Sequence, residues 1–330
     1  MPMKISILIP IYNVVQYVQE CLDSIDASLS AYDGEVDHEI IIVNDASTDG
    51  SDKICTDYVG THPKARMISH DVNKGLAEAR NTLLANAKGD YVAWVDSDDV
   101  VKRDWFARIA NAVEKYEPDV FAFELETFPA RNDVIMRCGE KGLGLKRGEE
   151  RFVDGRKYAL QILHAIKMFD HSPARVVRRK LHDGLSYRAP RGIYEDTIFA
   201  YDFLPRVRTV YYYADSLYRY RYRADSLMHV RKLEDWIKAV AFQLDCLKTM
   251  TEPYRSAANC RVLAGMRQIM IAAAKNPQDR RLAELVAEYR KHFRKGVVKE
   301  VLCDGLIPFR RKLIDIGCCF KAFDRILKKR

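Results

Sequence analysis

Asp90-Tyr91-Val92-Ala93-Trp94-Val95-Asp96-Ser97-Asp98-Asp99 sets the reading of this chain. An unbroken apolar run of strand length, without period-two alternation, marks a strand buried on both faces of a parallel sheet. Carboxylates follow it at once. At i, i+2 on a strand exit, Asp96 and Asp98 can converge on one point, and hard cations such as Mg²⁺ or Mn²⁺ take such oxygen ligands and bridge to phosphates. The same run also suits a helix N-cap with acidic residues in the first turn. Working outward, Lys4–Pro10 and Glu39–Asp45 are further apolar strands, the second closed by Asp45-Ala46-Ser47-Thr48-Asp49-Gly50. Arg66–His70 and Val120–Thr127 are two more. Helical spacing separates them over 14–29, 51–58, 75–87 and 104–115. Strand alternating with helix predicts βαβ units on a parallel sheet with right-handed crossovers. Ligands of such sheets lie outside the carboxyl ends of the strands. Pro10–Asn13, Asn44–Asp49 and Asp96–Asp99 are therefore expected on one edge, where mutual repulsion among the acidic exits calls for a cation or a donor-rich ligand.

The chain has 330 residues, 48% hydrophobic and 30% charged. That composition buries a core and excludes a disordered or fibrous protein. No apolar stretch is long enough for a membrane span. The N-terminus reads as lacking a signal peptide, and the eight scattered Cys as reduced thiols in a cytoplasmic protein. No GxGxxG follows the first strand and no GxxxxGK[ST] occurs, so the dinucleotide and P-loop readings lose their support. Residues 128–152 read as an irregular, Gly-rich excursion, 156–168 as a helix, and Val207–Tyr213 as a strand. From 233 onward the pattern is helical (233–250, 255–275, 279–294).

Four motifs then carry a resemblance. Ile7-Leu8-Ile9-Pro10-Ile11-Tyr12-Asn13, Ile41-Ile42-Val43-Asn44-Asp45-Ala46-Ser47-Thr48-Asp49, Asn73-Lys74-Gly75-Leu76-Ala77-Glu78-Ala79-Arg80-Asn81 and Asp96-Ser97-Asp98-Asp99 stand in the order, and with similar gaps, seen in the family-2 inverting glycosyltransferases, which the chain resembles. The resemblance implies a GT-A (Rossmann-like) α/β fold: a mixed, mainly parallel sheet flanked by helices, with a helical C-terminal region. It implies a nucleotide-sugar donor, UDP in first place, and a divalent metal, Mn²⁺ or Mg²⁺. By similarity, Pro10, Tyr12 and Asn13 would line the base and ribose pocket. Asp45 would accept from the uracil N–H with Asp49 close by, and Lys74, Gly75 and Arg80 would shape the pocket floor. Asp96 would contact ribose, Ser97 belongs to the same donor-binding set, and Asp98 would ligate the metal. Gly192-Ile193-Tyr194-Glu195-Asp196-Thr197 resembles the segment that supplies the catalytic base, which makes Asp196 the candidate. Arg223 and Ser226 would close over the diphosphate, with His229 a further metal ligand. A metal-dependent nucleotidyltransferase and a non-catalytic nucleotide-sugar binder remain the alternatives.

Charge divides the chain. Residues 1–230 carry 31 Lys and Arg against 35 Asp and Glu, a net of −4. Residues 231–330 carry 23 against 11, a net of +12. Hence 1–230 reads as the catalytic domain and 231–330 as a basic helical region facing a membrane or a second copy of the chain. No nucleic-acid motif accompanies the charge, so nucleic acid is not an expected partner. Between 308 and 330, Leu313, Ile316, Phe320, Phe323 and Leu327 share one helical face flanked by Arg310-Arg311-Lys312 and Lys328-Lys329-Arg330. An in-plane interfacial helix has this pattern, as does a helix packed on the domain or on a homodimer partner. The first reading puts the protein on the inner face of the cell membrane, acting on a glycan or lipid-linked acceptor in cell-surface polysaccharide synthesis. It predicts sedimentation with anionic liposomes that is lost on truncating 308–330. Unchanged binding after truncation excludes it.

Overall fold

In the computed structural model, the described residues are 2–128, 143–164, 170–188, 195–223, 233–296 and 318. The chain forms two compact units, one of residues 1–159 with 168–226, the other of 160–167 with 227–330.

The first unit is built on a nine-stranded mixed sheet. Strand β1 (Lys4–Ile11) is buried from Ile5 onward, as its apolar run requires. It lies between β2 (Asp37–Asn44) and β4 (Tyr91–Trp94), parallel to both, with Ile7 opposite Ile40 on one side and Ala93 on the other. Strand β3 (Ala65–Ser69) extends the parallel set beyond β2. Three βαβ steps through α1 (Val18–Leu29), α2 (Ser51–Thr61) and α3 (Leu76–Asn86) thus deliver the exits of β1, β2 and β4 to one edge. Helix α1 buries Val18, Cys21, Leu22 and Ile25, and α4 (Trp105–Tyr116) buries Trp105, Phe106, Ile109 and Val113, both into the same apolar cluster.

Beyond β4 the topology departs from the βαβ expectation. Strand β6 (Val120–Phe128) does not pair with β4. Strand β8 (Arg175–Arg178) inserts between them, antiparallel to both. Arg175-Val176-Val177-Arg178 is too short to show a period and has arginines at both ends, so nothing local marks it as a central strand. One further strand escapes local reading, and another runs longer than expected. Glu150–Asp154, inside the expected irregular excursion, forms β7. Strand β9 runs from Thr209 to Arg221, well past Tyr213. The β6–β9 pairing shifts register around Glu124, a bulge that bends β9. Its first half pairs with β7, and its second half with the two-residue β5 (Val100–Val101) directly after the acidic turn. Helices α5 (Gly155–His164) and α6 (Glu195–Phe203) fall in the chain between β7 and β9.

In the second unit α7 (Leu233–Cys246) packs on α8 (Tyr254–Lys275), and α8 on α9 (Arg280–Gly296). A Cβ on Gly265 would sit 2.7 Å from Val240 Cγ2, so the glycine sets the close approach of α7 and α8. Among the described residues no helix is long and apolar enough to cross a membrane. The 308–330 segment lies outside them, apart from Cys318.

One buried carboxylate ties the parallel strands together. Glu39 on β2 is 4% exposed. It accepts from Ser6 Oγ at 2.7 Å, Lys88 N at 2.7 Å and Arg66 Nη1 at 2.6 Å. Ser6 Oγ in turn accepts from Gly89 N at 2.8 Å, where an added Cβ would lie 2.6 Å from Ser6 N. Burial raises the Glu39 pKa, but these donors outweigh it and hold the group below its ordinary value of 4.5. The stabilisation is therefore present above that value and is lost as pH falls through the lowered one. Glu39→Gln should cost about 1–3 kcal/mol at pH 7. The variant's stability should also fall less steeply with acid than the wild type's, as urea unfolding at neutral and acidic pH will measure.

Candidate active site

The loops after β1 and β2 lock each other. Pro10 is buried in β1 opposite Val43. Tyr12, two residues on, is 48% exposed at the edge. Asn13 takes the left-handed conformation (φ 51°), which asparagine tolerates. Its Oδ1 accepts from Thr48 N at 2.9 Å, and its own N–H donates to Ser47 Oγ at 3.2 Å. Asp49 accepts from Val15 N at 2.9 Å and from Ser51 N and Oγ at 3.0 and 2.5 Å. Burial raises its pKa, yet the Ser51 and Val15 hydrogen bonds prevail and lower it. Asp45 is 3% exposed. Its Oδ1 accepts from Lys74 N at 2.9 Å and its Oδ2 from Gly75 N at 2.7 Å, with His70 Nδ1 2.7 Å from Oδ1. Gly75 has φ 92° and precedes α3, so a carboxylate faces the positive end of that helix. Lys74 is exposed beside it. Backbone N–H groups take up Asp45 and Asp49, and these two residues hold the loops that carry Tyr12, Asn13, Lys74 and Gly75.

The turn after β4 is different. Asp99 is fully buried. It accepts from Tyr218 Oη at 2.8 Å and Arg221 N at 2.7 Å, both on the bent half of β9. Tyr218 Oη also accepts from Asp96 N at 3.0 Å, and Arg221 Nε donates to the Asp98 carbonyl at 2.6 Å. Ser97 is buried in the turn. Burial and neighbouring carboxylates raise the pKa of Asp98 and, further, that of Asp99. The Asp98 side chain keeps 25% exposure, with Arg223 Nε 3.2 Å from Oδ2 and the Arg223 guanidinium 5.0 Å from the centre of the Tyr17 ring. Asp99 is thus the anchor of the turn, and Asp98 and Asp96 (29% exposed) are its outward carboxylates.

Arg80 joins this turn to the candidate base. Its guanidinium is 1% exposed, lies 5.4 and 5.5 Å from the ring centres of Trp94 and Tyr187, and pairs with Asp96 at 3.1 Å. It also contacts Asp196, and Glu195 at 3.7 Å. Burial lowers the guanidinium pKa, but Asp96 and Glu195 outweigh it, so the group is held charged. Asp196 (18% exposed) accepts from Ser172 Oγ at 2.7 Å and Ser172 N at 3.3 Å. Glu195 and Asp196 therefore open α6 inside the site and do not form a solvated helix start. Arg80, placed by similarity on a pocket floor, bridges Asp96 and Asp196. Ser172, Tyr187, Tyr218 and Arg221 are further members of the site. Tyr218 and Arg221 sit in the alternating Tyr/Arg stretch, but no local signal singles out Ser172 or Tyr187.

Asp96 and Asp98 are the carboxylates that open outward from this turn, the first paired with Arg80 and the second with Arg223. That donor set fits a hard divalent cation, which commonly takes one or two carboxylates and completes its shell with phosphate oxygens. Among the described residues no three His, Cys, Asp or Glu side chains converge as a complete cage. Ser226, His229 and 192–194 lie outside the described residues.

Residues 6–185 match the model of glycosyl transferase family 2. The chain belongs to that family. Its mixed sheet with flanking helices is the GT-A fold, and structural likeness agrees. S. aureus TarS 1–349 in complex with UDP-GlcNAc superposes with a TM-score of 0.64, at 16% identity over 98% of this chain and 88% of that one. The mannosyltransferase PcManGT from Pyrobaculum calidifontis, in complex with GDP-Man and Mn²⁺, gives 0.52 at 18% identity over 87% and 79%. By sequence, the poly(ribitol-phosphate) beta-glucosyltransferase of Bacillus spizizenii is 36% identical over 130 residues, 39% of this chain and 20% of that protein. The chain spans between 16% and 32% of the length of three other curated relatives, among them the glycosyltransferase GlyA of Streptococcus pneumoniae.

Removing the Arg80 charge should leave its carboxylates unpaired in a buried setting. Arg80→Leu is expected to cost about 3–5 kcal/mol of stability, and Asp96→Asn, at the exposed end of the bridge, distinctly less. Urea unfolding of the two variants compares them.

Proposed function

We propose that this glycosyltransferase moves a sugar from a UDP-sugar to an acceptor hydroxyl with inversion at the anomeric carbon. The observation that carries the reading is the placement of Asp196: a partly exposed carboxylate, fixed by Ser172 and joined through Arg80 to the acidic turn at the carboxyl edge of the sheet. Support for the donor comes from the family and from the fold shared with TarS, whose structure was solved with UDP-GlcNAc.

In this reading Pro10, Tyr12, Asn13, Lys74 and Gly75 form the base and ribose pocket, with Asp45 and Asp49 holding its loops. Asp96 faces the ribose, and Ser97 belongs to the same donor-binding set. Asp98 and His229 would hold Mn²⁺ or Mg²⁺. When bound, such an ion offsets charge growing on the leaving diphosphate. Arg223 and Ser226 close over that diphosphate. Asp196 accepts the acceptor's hydroxyl proton as the oxygen attacks C1, while the bond from C1 to the diphosphate oxygen breaks and UDP departs. Asp96 and Asp196 share Arg80, so donor and base are held in one frame, which favours in-line attack. Residues 1–230 are the catalytic domain and 231–330 a basic helical region. The basic 308–330 segment fits a protein peripheral on the inner membrane face and a glycan or lipid-linked acceptor in cell-surface polymer synthesis.

A thermal-shift panel of nucleotide sugars with Mn²⁺ tests the donor class. A UDP-sugar at 100 times its Kd should stabilise the protein by about 2.7 kcal/mol, and a response to GDP-sugars alone overturns the UDP assignment. Asp196→Asn should lower kcat by about 10²–10⁴ with donor affinity nearly unchanged. Full turnover in that variant removes Asp196 as the base. Chelation with EDTA should abolish transfer, and Mn²⁺ should restore it in the wild type but poorly in Asp98→Asn.

A further inference from the structure

We propose that Ser172 is a positioning residue for Asp196, a role that rests on the assignment of Asp196 as the base. Ser172 lies 24 residues before Asp196 and is 7% exposed at the start of a short 3₁₀ turn (Ser172–Ala174) ahead of β8. Both of its polar hydrogens point at one carboxylate: Oγ donates to Asp196 Oδ1 at 2.7 Å, and the backbone N–H to Oδ2 at 3.3 Å.

The direction of the network follows by elimination. A serine hydroxyl has one hydrogen and two lone pairs. Asp196, as a carboxylate, only accepts, so that hydrogen goes to Asp196. Arg80 only donates, and its Nη1 reaches Ser172 Oγ at 3.2 Å. Tyr187 Oη, at 3.4 Å from the same oxygen, must then be a donor as well. Tyr187 and Arg80 thus feed Ser172, and Ser172 feeds Asp196. Two donors on different oxygens fix the carboxylate plane, which a single contact from Arg80 does not. The charged and titratable groups around Asp196 are Arg80 from α3, Glu195 beside it on α6, and Tyr187, His182, Arg175 and Asp170 lining the same small cavity. Arg80 meets the carboxylate from one side as a fixed charge, and Ser172 is the neutral donor that can be removed without unbalancing the buried charges.

The test uses the full chain, Mn²⁺ and the UDP-sugar selected by the thermal-shift panel, reading UDP release against pH. Ser172→Ala is expected to lower kcat by about 10–100-fold, with donor KM within about twofold. The acid limb of its kcat profile should move up by about one pH unit, because a donor to the charged form is lost. Ser172→Thr, which keeps the hydroxyl, should restore both kcat and the limb. A purely structural serine would lower the urea midpoint of Ser172→Ala without moving the acid limb, and that result overturns the proposal. So does a wild-type kcat in Ser172→Ala while Asp196→Asn is inactive. Full turnover in Asp196→Asn is a different failure: it removes the base assignment itself.

Discussion

A guanidinium with almost no contact with water is the constraint around which the rest of the site is arranged. Arg80 cannot lose its proton, so burial obliges the protein to surround it with acceptors. Those acceptors come from separate elements: Asp96 from the exit of β4, Glu195 and Asp196 from the start of α6, and Ser172 from the turn before β8. Trp94 and Tyr187 flank its delocalised charge. Removing one partner of a buried pair costs far more than the pair contributes net. The arrangement is therefore a device for specifying geometry: several loops can occupy few positions other than those that satisfy Arg80.

The acidic turn solves a second electrostatic problem. Burial and the neighbouring Asp96 raise the proton affinity of Asp98, and burial with Asp98 and Asp96 raises that of Asp99. The fold absorbs one of them completely. Asp99 receives Tyr218 and the Arg221 N–H from β9, which reaches the turn because a register shift against β6 bends it. With Asp99 held inward, Asp96 and Asp98 are the two outward side chains, paired with Arg80 and Arg223. Perturbed carboxylates cluster at functional sites, and ligands of such sheets bind outside the carboxyl ends of the strands.

The two acidic exits of β2 show the opposite outcome. Asp45 and Asp49 could have added to the same negative field. Backbone N–H groups at the start of α3 and along the 13–15 loop take them up instead. Those donors hold both carboxylates in place, and what the two residues contribute to the site is the fixed shape of its loops.

Local periodicity alone was enough to place the apolar strands β1, β2, β3, β4 and β6, the helices between them and the edge on which their exits lie, since an unbroken apolar run has few places to go except a doubly covered sheet. The order and spacing of the four motifs likewise determined the family from Ile7 to Asp99. Only the tertiary structure decided that β8 separates β4 from β6, that β9 bends onto the acidic turn, and that Ser172 and Arg80 meet at Asp196. Those outcomes turn on which distant donor satisfies which buried acceptor. A hydrogen bond between residues 24 or 92 positions apart leaves no trace in local spacing.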